Sequence, residues 1–234
     1  FFDIPGVGEW AVTMKSLADA ALLRNRIIAL LEDATIESDE SVRRRLLTFV
    51  AAGGGFAGVE TIGALNDFVR EAVRHYPALN EALIRVAVVH PGPFLLPELG
   101  EELGAYAQRK LSERKVEVVT GARVTGYDGS VVELSDGTTI PAETLLWTAG
   151  ARPSPVIDAL ACRKAKGRLV VDQFLRVPGV PGLWAAGDAA ALLYSNPEAF
   201  KHYGAAREVR WPVREDAGGL ELCQFLFREL LLTS

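Results

Sequence analysis

Residues 49–60 have the sequence FVAAGGGFAGVE, in which an apolar run meets a cluster of glycines. The apolar residues Leu46 to Ala52 predict a buried strand, and the helix-period segment Val59 to Arg74 predicts a helix. Between them, glycines 53, 55 and 58 have the Gly-x-Gly-x-x-Gly spacing of a dinucleotide-binding turn. A plain strand-to-helix turn is the alternative, but both elements that the motif requires are present.

Each glycine of the turn has its own predicted purpose. Gly53 allows the tight turn, Gly55 lets the backbone approach a pyrophosphate, and Gly58 lets the helix pack closely on the strand. The helix then directs its free N–H groups and the positive end of its dipole at the phosphates. The candidate cofactor-binding residues of this turn are Gly53, Gly54, Gly55, Phe56, Ala57 and Gly58.

Composition excludes several classes of protein. A length of 234 residues suits one or two domains, and a net charge of −5 argues against a nucleic-acid partner. Cys162 and Cys223 lie far apart without metal-type or Cys-x-x-Cys spacing, which indicates reduced cysteines in a cytosolic chain and no metal site. We find no signal peptide and no apolar run long enough to span a membrane.

The segments before the turn predict a loop over residues 1–12 and an amphipathic helix from Met14 to Ala34, with Leu17 on its apolar face. Arginines 43–45 follow an acidic linker. They form either a phosphate-binding patch or a solvated lead-in to the strand. We favour the lead-in, because the arginines precede the strand instead of following it.

The run Ile84 to Val89 predicts a second parallel strand, which ends at His90. In a dinucleotide fold, an acidic residue at this position binds the ribose hydroxyls of adenosine. An imidazole exchanges hydrogen bonds with a hydroxyl but supplies no negative charge, and no arginine follows at once to bind a 2′-phosphate. His90 is therefore a candidate ribose ligand, with NADH slightly favoured over NADPH; a histidine without a ligand is the alternative.

The remainder of this domain predicts an amphipathic helix from Glu98 to Arg114, with Leu99, Leu103 and Tyr106 on its apolar side, and a strand at residues 116–119. Two Asp-Gly turns within residues 124–140 then predict a β-meander. A last strand, residues 144–148, ends in Ala149 and Gly150, two further candidate cofactor-binding residues. Beyond it we predict strands at residues 168–171 and 180–188, the second ending in Gly187 and Asp188.

Several motifs in this order resemble the type II NADH dehydrogenases, flavoproteins that pass electrons from NADH through FAD to a membrane quinone. The resemblance covers nearly all of residues 1–190. The segments that carry it are FDIPGV at 2–7, KSLADA at 15–20, the glycine turn, LNDFVRE at 65–71, LPEL at 96–99, LWTAG at 146–150 and AGD at 186–188. It implies an α/β fold: a Rossmann-like NAD(H)-binding domain at 42–150, with residues 1–41 and 151–234 belonging to a second, FAD-binding domain.

The same resemblance implies functions for individual residues. It places NADH on the glycine turn, Gly187 and Asp188 against the FAD, and Glu60 near flavin and nicotinamide as the candidate catalytic residue. A helix N-cap is the alternative for Asp188, and a first-turn glutamate favoured by the helix dipole is the alternative for Glu60.

Three departures from the family predict an incomplete enzyme. The sequence opens at Phe1, and the family's N-terminal FAD motif is absent from it. Arg210 stands where the family has a glutamine near the quinone, and the C-terminal membrane-binding helices are not in the sequence. We therefore expect a fragment that is inactive alone.

The resemblance implies an FAD-dependent NADH dehydrogenase of the respiratory chain in the complete protein, with NADH and a quinone as substrates. It also implies a cytoplasmic protein that contacts the inner face of the membrane peripherally, and homodimer formation. A soluble NAD(P)H-dependent flavin reductase and a non-catalytic NADH-binding module are the rival functions. A disulfide reductase is disfavoured, because the sequence has no paired redox cysteines.

Overall fold

The computed structural model describes residues 3–150, 155–172 and 174–192. They fall into two compact units, which meet in sequence at Gly150. The strands of the first unit are β1 (Val12–Thr13), β2 (Thr48–Ala52), β3 (Arg85–His90), β4 (Val116–Thr120), β5 (Val124–Tyr127), β6 (Val131–Leu134), β7 (Thr139–Pro141) and β8 (Thr144–Trp147). Its α-helices are α1 (Val7–Trp10), α2 (Leu17–Ile36), α3 (Glu40–Leu46), α4 (Phe56–Ala72) and α5 (Glu101–Glu113).

A five-stranded parallel sheet lies at the centre of the first unit, in the order β1-β8-β2-β3-β4. Every residue of β2 is buried, as expected for a middle strand covered on both faces. Phe49 and Ala51 join a core with helices α2, α4 and α5, whereas Val50 and Ala52 join a core with strands β5 to β7. Successive side chains of a strand alternate between faces, so β2 holds both layers.

The strand–turn–helix prediction is confirmed, with shifted bounds. Leu46 ends helix α3 and does not begin the strand. Helix α3 starts at Glu40 because the carboxylate of Asp39, a residue of the predicted acidic linker, accepts hydrogen bonds from the Ser41 and Val42 amides. At the other end, α4 already begins at Phe56, because the last glycine of the motif is itself helical.

The predicted meander is confirmed as the antiparallel strands β5, β6 and β7. In its first turn, Asp128 Oδ1 accepts hydrogen bonds from the Ser130 and Val131 amides at 2.8 and 2.7 Å. These N–H donors hold the pKa of Asp128 below its ordinary value. The charged carboxylate therefore closes the turn.

The boundary predicted at residue 42 does not separate two units. The predicted N-terminal loop contains α1, and β1 begins at Val12, which pairs with Leu146 of β8. Helix α2 contributes Leu23 and four further residues to the core that contains Phe49. Leu17, predicted on the buried face of this helix, is 62% exposed. The assignment of residues 1–41 to a flavin-binding domain stays a prediction.

Helix α5 corrects a second prediction of burial. Ala107 and Leu111 are buried, but Leu103 and Tyr106 are 50% and 41% exposed, and Leu99 in the preceding 3₁₀ turn is 43% exposed. Spacing places these side chains on one side of the helix, but only part of that side packs on β4.

The second unit contains β9 (Lys164–Ala165), β10 (Arg168–Val171) and β11 (Ala190–Leu192). Strand β10 pairs antiparallel with β9 and parallel with β11. The prediction for residues 168–171 is confirmed. The strand predicted to end at Gly187 is wrong, because that segment has only an isolated bridge between Arg176 and Trp184, and the strand follows instead.

Candidate dinucleotide-binding site

The glycine turn lies at the carboxyl end of β2, in the middle of the parallel sheet. The Gly53 amide donates to the Val89 carbonyl oxygen at 2.9 Å, which extends the pairing of β2 and β3 by one residue. Gly53 has φ +116°, a conformation that favours glycine. The chain then leaves the sheet and enters α4, where the Val59 amide donates to the Gly55 carbonyl oxygen at 3.0 Å.

Two of the glycines make room for protein atoms. A Cβ on Gly58 would collide with the carbonyl oxygen of Gly53 and lie 2.9 Å from Thr148 Oγ1. A Cβ on Gly53 would lie 2.9 Å from the Ala149 amide nitrogen. Gly58 therefore brings helix and strand together, as predicted, and Gly53 accommodates the end of β8 as well as the turn.

Gly55 is different, because a Cβ built on it would meet nothing within 4 Å. It is the N-cap residue of α4 and makes no side-chain capping bond. Phe56, which is 47% exposed, and Ala57, also exposed, follow it in the first turn. The first amides of a helix have no acceptor within it, so this open side presents N–H donors and a partial positive charge.

His90 lies against the turn. Its imidazole Nδ1 accepts a hydrogen bond from the Gly54 amide at 3.1 Å. The ring occupies the space that two glycines leave: a Cβ on Gly54 would lie 2.8 Å from His90 Cγ, and one on Gly92 would lie 2.8 Å from His90 Nε2. Contact with a ribose remains a prediction, whereas the contact with the turn was not foreseen.

Thr148, which the sequence analysis did not single out, ties the end of β8 to the turn. Its hydroxyl lies 2.9 Å from the Ala52 carbonyl oxygen and 3.2 Å from that of Gly53, and its amide donates to Ala52 at 3.0 Å. A polar residue directly after the buried run Thr144–Trp147 was the available signal. Thr148 thereby brings the next residue, Ala149, beside Gly53 of the turn. Gly150 follows; it is exposed and has φ +71°.

A cleft of about 520 Å³ opens at this edge of the sheet. Gly53, Val89, Trp147, Ala149 and Arg123 are among its lining residues. Arg123 was also missed, because it lies in a connection without a motif. The cleft adjoins the turn and offers mainly apolar surface, which suits a flat aromatic ring, with one basic and one acidic side chain in its lining, Arg123 and Asp3.

The arginines before β2 lie at the opposite, amino-terminal edge, beside a cavity of about 660 Å³. Arg44 pairs with Glu40, Arg45 pairs with Glu143 at 2.7 Å, and Arg43 donates to a backbone carbonyl. Since carboxylates or carbonyls already engage all three, this edge does not offer free cations to a phosphate. The lead-in interpretation is therefore the better one.

Glu60 is half-buried in the second turn of α4, and the first turn has no acidic residue. The alternative that the helix dipole alone favours Glu60 loses its support, since that effect falls off within the first turn.

Gly187 and Asp188 belong to the second unit, in a 3₁₀ turn from Gly187 to Ala189 that leads into β11. The N-cap alternative for Asp188 is wrong, because residues 190–192 form a strand. The predicted position of Asp188 at the carboxyl end of a strand is also wrong, since the neighbouring strand, β11, begins after it.

Other predictions concern residues outside the described part of the chain. These are Arg210, Cys223 and the apolar tail from Ala217, for which the sequence favours a buried core helix over a membrane-surface helix. Within the described ranges Cys162 is a free thiol, and no group of three or more His, Cys, Asp or Glu side chains could hold a metal ion. None of the helices among these residues combines the length and the apolar character needed to cross a membrane.

A glycine turn that opens a helix at the carboxyl edge of a parallel sheet is the arrangement found in dinucleotide-binding proteins. In this chain the parallel sheet is also interrupted by the β5–β7 meander, which lies in sequence between β4 and β8. The sequence profile of the pyridine nucleotide-disulphide oxidoreductases matches residues 2–208, and the chain belongs to that family.

Individual relatives narrow the comparison further. The mitochondrial external alternative NADH-ubiquinone oxidoreductase of Yarrowia lipolytica is 33% identical over 208 residues, which cover 83% of this chain and 36% of that protein. The type II NADH:quinone oxidoreductase Ndh of Mycobacterium tuberculosis is 35% identical over 205 residues, covering 82% of this chain and 44% of the relative. The chain thus spans less than half the length of these relatives.

Among solved structures, that of NDH2 from Plasmodium falciparum in complex with NADH matches with a TM-score of 0.71 at 22% identity. The match covers 99% of this chain and 49% of the other. At this identity the match establishes the fold.

Proposed function

We propose that the chain binds NADH at the Gly53–Gly58 turn and forms the nucleotide-binding part of a flavin-dependent NADH:quinone oxidoreductase. The open space at Gly55, in front of the first turn of α4, is the observation that carries the proposal. The other glycines of the turn are pressed against protein atoms, whereas this one faces a volume in which a Cβ would contact nothing.

The surrounding residues suit a pyrophosphate in that space. Amides at the start of α4 would donate to its oxygens, and the helix dipole would stabilise its charge. The Thr148 hydroxyl holds β8 to the turn, and we propose that Ala149 and Gly150, which follow it, contact the nicotinamide. Half-buried Glu60, one turn into the same helix, is our candidate for hydrogen bonding near the reacting ring.

The FAD part of the proposal rests on the family and on the Gly187–Asp188 motif. In such an enzyme the redox chemistry would come from FAD, which can accept a hydride from nicotinamide C4 and pass two electrons to a quinone, with protons taken from the surroundings. Asp188 would hold flavin hydroxyls in the complete protein. Peripheral contact with the inner face of a membrane belongs to the same proposal, since the names of the relatives given above include quinones. Homodimer formation stays a prediction.

The experiment that tests the proposal compares electron acceptors. The purified protein is given FAD and NADH, and NADH oxidation is followed with a short-chain ubiquinone analogue, a ferredoxin or an aromatic disulfide. We expect NADH binding in every case, and quinone as the preferred acceptor wherever flavin is bound. The chain alone is expected to bind NADH without turnover, and the same chain extended with an N-terminal FAD motif is expected to take up flavin and reduce the quinone. Preference of the extended protein for ferredoxin or disulfide would favour the soluble reductase, and NADH binding without flavin uptake even in the extended protein would favour the non-catalytic module.

The proposal extends to the 2′-phosphate, the group that distinguishes NADPH from NADH. A third relative, the mitochondrial internal alternative NAD(P)H-ubiquinone oxidoreductase A1 of Solanum tuberosum, is 35% identical over 196 residues and carries NAD(P)H in its name. No acidic side chain ends β3, and Arg123 lines the adjacent cleft. We therefore propose weak discrimination against NADPH, to be measured as the ratio of the two dissociation constants.

A further inference from the structure

The Gly54 residue of the turn is held by the protein on both sides. Its amide donates to His90 Nδ1 at 3.1 Å, and its carbonyl oxygen accepts from the Leu96 amide at 2.8 Å. It is also buried, and a Cβ there would collide with the Leu95 side chain. The polar groups of Gly54 are therefore satisfied within the protein and are directed away from the open side of the turn.

This arrangement determines where the next amide points. The Gly54 carbonyl and the Gly55 N–H belong to one planar trans peptide, in which they point in opposite directions. With the carbonyl held by Leu96, the Gly55 N–H points away from Leu96. The peptide before Gly54 is held by His90, so rotation of either peptide would break a hydrogen bond to a buried residue.

We infer that His90 is a positioning residue, whose Nδ1 holds the Gly54 amide and thereby aims the Gly55 amide at the nucleotide pyrophosphate. The inference rests on the proposed NADH site and names the part of it that the strand-end histidine serves. It differs from ribose recognition, which would use the far side of the ring. For Nδ1 to accept, the imidazole must be neutral with its proton on Nε2.

The position of His90 in the sheet explains why a side chain is needed here. The Gly53 amide still finds a backbone acceptor in Val89, but the chain turns away at Gly54. A buried amide without a partner is unfavourable. The imidazole extends from the last residue of β3 and replaces the missing backbone acceptor, and Gly92 leaves the space for its other edge.

The test uses two substitutions that distinguish a hydrogen bond made by Nδ1 from one made by Nε2. In His90→Asn the amide oxygen lies as many bonds from Cα as Nδ1 does, whereas in His90→Gln it lies as many bonds away as Nε2. His90→Leu removes both. The matched control is exposed His75, which ends the 3₁₀ turn after α4, substituted in the same three ways.

NADH dissociation constants are measured by calorimetry on the full chain, and exchange of the Gly54 amide proton is measured by NMR without nucleotide. We expect the dissociation constant and the exchange rate of His90→Asn to stay within about threefold of the wild-type values. His90→Gln and His90→Leu should bind NADH about tenfold more weakly and exchange the Gly54 amide proton faster, as expected for loss of one hydrogen bond to a buried amide. The His75 variants should change neither quantity.

Two results would overturn the inference. Rescue by glutamine but not asparagine would place the function at Nε2 and return His90 to ribose recognition. NADH affinity and Gly54 amide exchange equal to those of wild type in all three His90 variants would show that the Gly54 amide needs no partner. If the wild-type chain bound no NADH, the proposed function would fail, and the exchange rates of the asparagine and glutamine variants alone would decide whether His90 holds the turn.

Discussion

Substitution of Gly55 by valine separates binding from folding at the glycine turn. Because a Cβ at this position meets no protein atom within 4 Å, the added methyl groups need not disturb the core. Gly55 is an N-cap residue with φ −76° and ψ −175°, an extended conformation that valine adopts easily. The remaining cost is a poorer cap, about 0.5–1 kcal/mol of folding free energy.

The cost to NADH binding is expected to be much larger. The valine side chain would occupy the space assigned to the pyrophosphate and separate it from the helix amides. Each charge-assisted hydrogen bond to a phosphate oxygen contributes roughly 1.5–3 kcal/mol. Loss of two therefore costs about 3–6 kcal/mol, which raises the dissociation constant on the order of a hundredfold to ten-thousandfold.

Calorimetric titration with NADH and thermal unfolding of the same samples measure both quantities. Gly63→Ala is the matched control in the same helix, since its Cβ would lie 3.8 Å from the nearest atom outside the helix backbone, Arg114 Nη1, an ordinary contact. Gly58→Ala is the opposite control, because its Cβ would collide with the Gly53 carbonyl oxygen and should destabilise the fold. Unchanged NADH affinity in Gly55→Val, or an equal loss in Gly63→Ala, would refute the assignment of this turn.

Three further predictions concern the neighbouring residues. His90→Glu should raise the preference for NADH over NADPH, because a carboxylate at the end of β3 repels a 2′-phosphate; an unchanged ratio of affinities would mean that the position does not face the ribose. Thr148→Val should lower the free energy of unfolding by about 1–2 kcal/mol and weaken NADH binding, since the hydroxyl at 2.9 Å from the Ala52 carbonyl is lost. Denaturant unfolding measures the difference, with Thr139→Val at an exposed strand position as the control. Burial raises the pKa of Tyr127 to about 12, so the folded state favours the neutral phenol, and the stability this contributes is complete below the ordinary pKa near 10 and is lost as the pH rises to about 12. Tyr127→Phe should remove that alkaline dependence, and an absorbance titration of tyrosinate that showed ordinary ionisation would contradict the prediction.

Much of the nucleotide domain was predictable because its signals are local. The order of strand, turn and helix follows from the apolar run and from glycine spacing that few other structures require. The meander follows from two Asp-Gly turns, in which Asp128 and Asp136 close the chain through their own neighbouring amides. The positive φ of Gly53 and the approach of Gly58 to the Gly53 carbonyl oxygen follow from local backbone geometry, whereas the contacts of both glycines with the end of β8 do not.

Other features depend on residues that are distant in sequence. The acceptor of the Gly54 amide lies 36 residues away at His90, and the Thr148 hydroxyl reaches a strand 96 residues earlier. Helical spacing alone could not show that Leu17 is exposed or that α5 buries only part of its apolar side, because burial depends on which element lies opposite. The sequence therefore determined which backbone conformations form the turn and the sheet, through torsional preferences and period. Only the tertiary structure decided which side chains hold the turn in place, because those contacts exist once strands β2, β3 and β8 lie side by side.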